Sequence, residues 1–130
     1  MAGVARRRRL PVRFDERVWH EATRGFSGRA LEVAGSTRKR LELEGLALAD
    51  ARVCEADGAD GTRLAGCAKV YLPLGEGTAS ERPFGMVVQL ARDEQRELVW
   101  VFVAFGPRHP RPGVRTVYER AHRRLHGRFP

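Results

Sequence analysis

The chain has 130 residues, 42% hydrophobic and 31% charged, enough for one domain with a single core of useful size. Two cysteines, Cys54 and Cys67, make neither a disulfide framework nor a metal-ligand pattern, and no apolar run is long enough to span a membrane. Residues 1–30 also lack the apolar segment of a secretion signal, so the expected setting is a reducing cytoplasm, with no membrane partner.

The net charge of +8 rests on 22 Arg and two Lys, and its placement is uneven. Residues 1–13 carry +5, residues 14–105 carry −3 and residues 106–130 carry +6. Two basic ends around a slightly acidic middle predict a basic surface of the kind that attracts phosphate backbones by counterion release. A solubilising coat would have the same sign.

Residues 1–9 read as a disordered basic arm, and 10–130 as a single domain. LPVRF at 10–14 predicts a short strand with Leu10, Val12 and Phe14 on one face. Asp15 can cap a first helix whose inward stripe is Val18, Ala22 and Phe26, weakened at Gly25 and Gly28. Ser36 is a plausible cap for a second helix, with Leu41, Leu43, Leu46 and Leu48 as apolar content and Gly45 costing it about 1 kcal/mol against Ala. Residues 49–63 read as loop. The alternation in CAKVYLPL at 67–74 predicts a strand with Ala68, Val70, Leu72 and Leu74 toward the core and Cys67, Lys69, Tyr71 and Pro73 opposite.

After a flexible connection at 75–83, FGMVVQLA at 84–91 predicts a third strand, turned at 92–96 into the most apolar run of the chain. That run, Leu98 to Phe105, is greasy on both period-2 faces: Leu98, Trp100, Phe102 and Ala104 on one, Val99, Val101, Val103 and Phe105 on the other. It predicts a central strand covered on both sides. Gly106, Pro107, Pro110, Pro112 and Gly113 stop it. A short basic helix follows, with Val117, Ala121 and Leu125 as its buried stripe and Tyr118, His122 and His126 beside it. The rim between strand and helix therefore collects Arg108, His109, Arg115, Tyr118 and His122, the candidate working site. The expected fold is α+β: an antiparallel sheet of about four strands packed against two N-terminal helices, with a short C-terminal helix on the same face.

Four segments carry a family resemblance. RFDERVWHE follows the first strand, LAGCAKVYL enters the second, VWVFVAFGPRH runs along the central strand into a G-x-R step, and TVYERAHRRL is close to a V-Y-x-x-A-x-x-R-L pattern. In this order they resemble the RelE/ParE superfamily of bacterial toxins, from Leu10 onward. The resemblance implies a RelE-like fold and the toxin of a type II toxin–antitoxin system. In its RelE-like branch that means a ribosome-dependent mRNA endoribonuclease, with mRNA on the ribosome and a cognate antitoxin as partners. The alternatives are a ParE-like DNA gyrase inhibitor and a catalytically silent RNA-binding protein on the same scaffold. Position by position, the resemblance puts the catalytic tyrosine at Tyr118, the arginine after the central strand at Arg108 and the first strand-two lysine at Lys69, with Tyr71 in place of the second. Gly85 stands where RelE-like members commonly carry an arginine; the nearest cation is Arg82.

Metal-free RNA cleavage would use the substrate's own 2′-OH and needs proton transfers and charge neutralisation at phosphate. A tyrosine, titrating ordinarily near ~10, needs neighbouring cations to act as a base, and Arg108 and Arg115 are the candidates. His109 or His122 could serve as base or acid with less tuning. Tyr71 offers a ring for base stacking, and Arg82, Arg115, Arg123 and Arg124 offer phosphate contacts. His122 and His126 have zinc-ligand spacing but no third ligand, so neither a metal nor a small-molecule cofactor is expected. Each of these residues also has a plain reading, Tyr118 as a half-buried helix residue and the arginines as a solvated face.

Overall fold

The computed structural model describes residues 7–72 and 83–127. Its strands are β1 (Arg9–Leu10), β2 (Val12–Arg13), β3 (Leu46–Ala47), β4 (Arg52–Val53), β5 (Cys67–Tyr71), β6 (Phe84–Arg92) and β7 (Leu98–Pro107). Its helices are α1 (Glu16–Thr23), α2 (Gly28–Glu44) and α3 (Val117–His126), with a 3-10 turn at Leu48–Asp50. The fold is α+β. Five strands form one sheet in the order β2-β7-β6-β5-β4, and β1 pairs separately with β3. The expectation of about four antiparallel strands is corrected here: β2 runs parallel to β7, so the sheet is mixed. After β2 the chain passes through two helices to β4 at the far edge, and three antiparallel reversals through β5 and β6 bring β7 back beside β2, parallel to it.

The predicted strand at 10–14 divides because Pro11 lies between β1 and β2; its carbonyl accepts the Trp100 amide at 2.8 Å. Of the basic arm, Arg9 already belongs to β1, while residues 1–6 lie outside the described residues, as do Pro73 and Leu74 of the second predicted strand.

α1 begins as its sequence dictates. The Asp15 carboxylate accepts the amides of Arg17 and Val18, satisfying donors that a helix start leaves orphaned. α2 starts earlier than Ser36, at Gly28, and buries Val33, Ala34, Thr37 and Leu41 along one stripe. Gly45 does not weaken this helix from within. It caps the end with φ +71°, and a Cβ there would stand 2.6 Å from the Leu10 carbonyl oxygen, so only glycine lets α2 turn into β3 beside β1. Leu43, expected in the stripe, is 86% exposed. Arg38 of α2 lies 5.1 Å from both the Phe14 and Trp19 rings and pairs with Glu16 and Glu42, latching α2 to α1.

β7 is the central strand and is covered on both sides, though not by one layer. On one side Trp100, Phe102 and Phe105 pack with Phe14, Val18, Trp19 and Phe26 from the α1 region. On the other, Val103 and Ala104 pack with Val117 and Ala121 of α3. A register shift between Val87 and Val88 explains why Phe102 and Phe105, three apart, share a face. The bulge inserts one residue and resets the alternation. Strict period-2 pairing of Phe102 with Ala104 is therefore corrected, and so is the placing of all helices on one face: α3 packs opposite α1 and α2. The same second core buries Cys67, expected on the polar face, at 2% exposure.

Phe102 stacks on Phe14 at 5.1 Å and tilts against Trp19 at 5.2 Å, so it joins β7 to α1. Phe102→Ala is expected to lower unfolding free energy by about 3–5 kcal/mol through reduced burial and a cavity, read as a lower urea midpoint with unchanged slope.

Candidate functional site

α3 is set by its own first turn. Thr116 Oγ1 accepts the Glu119 amide at 3.0 Å while Glu119 Oε1 accepts the Thr116 amide at 2.9 Å, a reciprocal capping box. Val117 then points into the second core, and Tyr118, one residue on, comes to its margin, half-buried. β7 delivers Arg108 to the same place, just beyond Pro107, with the Arg108 amide donating to the Pro83 carbonyl at 2.7 Å.

Arg108 is 7% exposed. Its Nε donates to Tyr118 Oη at 3.1 Å, and its guanidinium carbon sits 4.0 Å from the centroid of the Tyr71 ring. Lys69 Nζ lies 5.6 Å from the Tyr118 ring centroid, and Arg52, the cross-strand partner of Lys69, places its guanidinium 5.1 Å from Tyr71. Two phenols and three cations thus meet where β4, β5 and β7 face the start of α3. Gly85, without a side chain, makes the room: a Cβ there would touch Arg108 Cγ and the Val70 carbonyl oxygen, each at 3.4 Å. The position that lacks an arginine is covered by the stem of another one.

Beside this group opens a cleft of about 290 Å³, with Cys54, Glu55, Asp60, Thr62, Lys69 and Tyr118 on its wall. Its outer wall is the loop from Cys54 to Gly66, closed on itself by Gly58 N–H to Thr62 C=O at 2.8 Å and by Asp60 Oδ1, which accepts both the amide and the hydroxyl of Thr62. α3 ties the loop down. The Arg63 amide donates to His122 Nδ1 at 3.0 Å, and His126 Nε2 meets the Arg63 carbonyl at 2.9 Å.

Of the residues singled out from the sequence, Tyr118, Arg108, Lys69 and Tyr71 come together. His122 does not join them as an acid or base: it is 2% exposed and its Nδ1 is occupied as an acceptor, so it holds the loop. His109 is exposed on the turn after Arg108. Arg115, Arg123 and Arg124 line a second groove, with Arg120, between α1 and α3. Arg82 lies outside the described residues. Three residues of these surfaces were not singled out: Arg52 and Glu55, in a segment read only as polar loop, and Arg120. Glycines inside an otherwise apolar strand were the available signal for the buried arginine stems.

Cys54 and Cys67 face each other across β4 and β5, where the Cys54 amide donates to the Cys67 carbonyl at 3.0 Å. Burial pushes both thiols up to about 11, with the Lys69 charge pulling the other way at Cys54. Among the described residues no group of three or more His, Cys, Asp and Glu could hold a metal ion, and no helix is long and apolar enough to cross a membrane. Comparison with known proteins gives no match to a family model, a curated protein or a solved structure.

Two outcomes follow from this geometry. His122→Ala strands the Arg63 amide and is expected to cost about 1–3 kcal/mol and to loosen the loop, read by urea unfolding and by faster proteolysis between Cys54 and Gly66. The folded thiols keep their protons up to about 11, whereas an ordinary thiol releases its proton near 9.0, so stability is expected to fall as pH rises from about 9 to about 11. Thermal midpoints across that range, for the protein and for Cys54→Ser, check it; a flat profile would contradict it.

Proposed function

We propose that the chain is a metal-independent endoribonuclease with a RelE-like fold, a cytoplasmic toxin that cuts mRNA on the ribosome and is restrained by a cognate antitoxin. The observation that carries this reading is the hydrogen bond from Arg108 Nε to Tyr118 Oη, with Lys69 alongside, on the wall of an open cleft. A phenol half-buried for packing alone has no need of two cations. Because the guanidinium N–H occupies one lone pair of the phenol oxygen, the Tyr118 O–H proton is free to turn toward the cleft.

The chemistry then divides among named groups. The 2′-oxygen of the substrate attacks phosphorus and loses its proton to a carboxylate, for which Glu55 is the cleft's candidate. The bond from phosphorus to the 5′-oxygen breaks, and that oxygen takes the Tyr118 proton. Arg108 and Lys69 neutralise charge building on the phosphate, and the products are a 2′,3′-cyclic phosphate and a 5′-hydroxyl. Tyr71, held by Arg52 and Arg108, offers a ring edge to a base. An acidic antitoxin suits a surface of this sign.

A second reading, RNA binding without cleavage, is favoured by one observation: Gly85 supplies no cation where RelE-like members commonly carry one. Inducible expression in a bacterium with mapping of mRNA 5′ ends separates the two. Tyr118→Phe and Arg108→Ala are each expected to lower cleavage by about 10²–10⁴-fold and to relieve growth arrest. Intact mRNA with the wild-type protein would remove the nuclease reading, and DNA damage with intact mRNA would select gyrase inhibition.

A further inference from the structure

The cationic site continues past Tyr118. Gly85 and Gly106 are register partners in the β6–β7 pair, so side chains at the two positions would leave the same face of the sheet. Arginine stems occupy both places. Arg108 crosses Gly85, and Arg120 crosses Gly106 so closely that a Cβ there would stand 2.9 Å from Arg120 Cδ. From Gly106 the Arg120 side chain runs to the margin of β7. There its guanidinium carbon lies 5.4 Å from the Phe26 ring and its Nε donates to the Arg115 carbonyl at 3.3 Å.

At that margin a groove of about 440 Å³ opens between α1 and α3. Arg115, Arg120, Arg123 and Arg124 line it, against one carboxylate, that of Glu21, which pairs with Arg124 at 3.0 Å. Its floor is Val103, Ala104 and Phe105 of β7, beyond the point where β2 stops pairing at Val101. Burial, and then the Arg115 charge, lower the Arg120 guanidinium from its ordinary value, the mark of cations crowded together where water is partly excluded.

We infer that this groove is a phosphate track: it grips successive backbone phosphates of single-stranded RNA flanking the bond that is cut at Tyr118. The inference rests on the nuclease reading above and extends it to the path of the substrate. Closeness to the Tyr118 site decides for a nucleic acid over an acidic peptide. Arg108 and Arg120 lie over one pair of glycines on adjacent strands, Arg108 bonded to Tyr118 and Arg120 on the wall of the groove, so the groove opens close to the site at Tyr118. Planar guanidinium forks match phosphate oxygens bidentately.

The test is binding of a short fluorescent single-stranded RNA with 2′-O-methyl sugars, which cannot be cut, followed by anisotropy over a series of salt concentrations. Arg115 and Arg124 are exposed, so the double variant Arg115→Ala/Arg124→Ala removes charge without disturbing either core. It is expected to make the slope of log affinity against log salt shallower by about 1.4, at about 0.7 for each phosphate no longer neutralised on a single strand. Arg40→Ala, on the exposed side of α2, is expected to leave the slope unchanged. An unchanged slope in the double variant overturns the inference. So does weaker binding of oligoglutamate with undiminished binding of RNA, which would assign the groove to an acidic protein segment. The two readings fail separately: a shallower slope without Tyr118-dependent cleavage removes the nuclease and leaves the track, and the converse removes the track alone.

Discussion

An arginine at 7% exposure needs partners for the fixed donors of its guanidinium, because an isolated buried charge is far too costly. Arg108 meets that need by bonding the phenol of Tyr118 and lying against the ring of Tyr71. The consequence is architectural as much as chemical. β7 ends at Pro107, α3 begins at Val117, and one side-chain hydrogen bond ties the two across the intervening loop. It also fixes the direction of the Tyr118 oxygen on the cleft wall. Arg108 can take this path because Gly85 leaves the strand beneath it bare.

The same economy governs the rest of that face. Arg120 crosses Gly106 as Arg108 crosses Gly85, so two glycines on adjacent strands carry two charged stems that would otherwise be pushed into solvent. Long apolar stems make this favourable, since they cover sheet while the charged ends reach the margins. Opposite them, an aromatic layer of Phe14, Trp19, Phe26, Phe102 and Phe105 belongs to the larger core. One face of the sheet carries the larger, aromatic core, and the other carries the smaller core under α3 with the cations at its margins.

Much of this was legible in the residues. The run from Leu98 to Phe105 announced a strand buried on both sides, and Val117 with Ala121 announced the buried stripe of α3, because local periodicity and burial agree there. The meeting of Tyr118 with Arg108 was read at the rim where the strand gives way to the helix, whereas Lys69 and Tyr71 joined them through a resemblance, since they lie on a strand distant in sequence. What escaped was non-local or hidden in single residues. The bulge near Val87 that puts Phe105 beside Phe102 has no sequence mark. Ser36 suggested the start of the second helix, yet α2 runs from Gly28 through Gly35 because Val33, Ala34 and Leu41 pack well enough to outweigh propensity. His122 carries the features of a catalytic histidine, and only the Arg63 amide on its ring nitrogen shows a structural anchor.

In the function we propose, a phenol directed by a guanidinium completes attack by the substrate's own 2′-hydroxyl. The most direct measurement is the chemistry of the fragment ends produced in a translating extract. The account predicts a 2′,3′-cyclic phosphate on the upstream fragment and a 5′-hydroxyl on the downstream one, and no cut where the scissile nucleotide is 2′-deoxy. A 5′-phosphate, or cleavage that persists at the deoxy nucleotide, would contradict it.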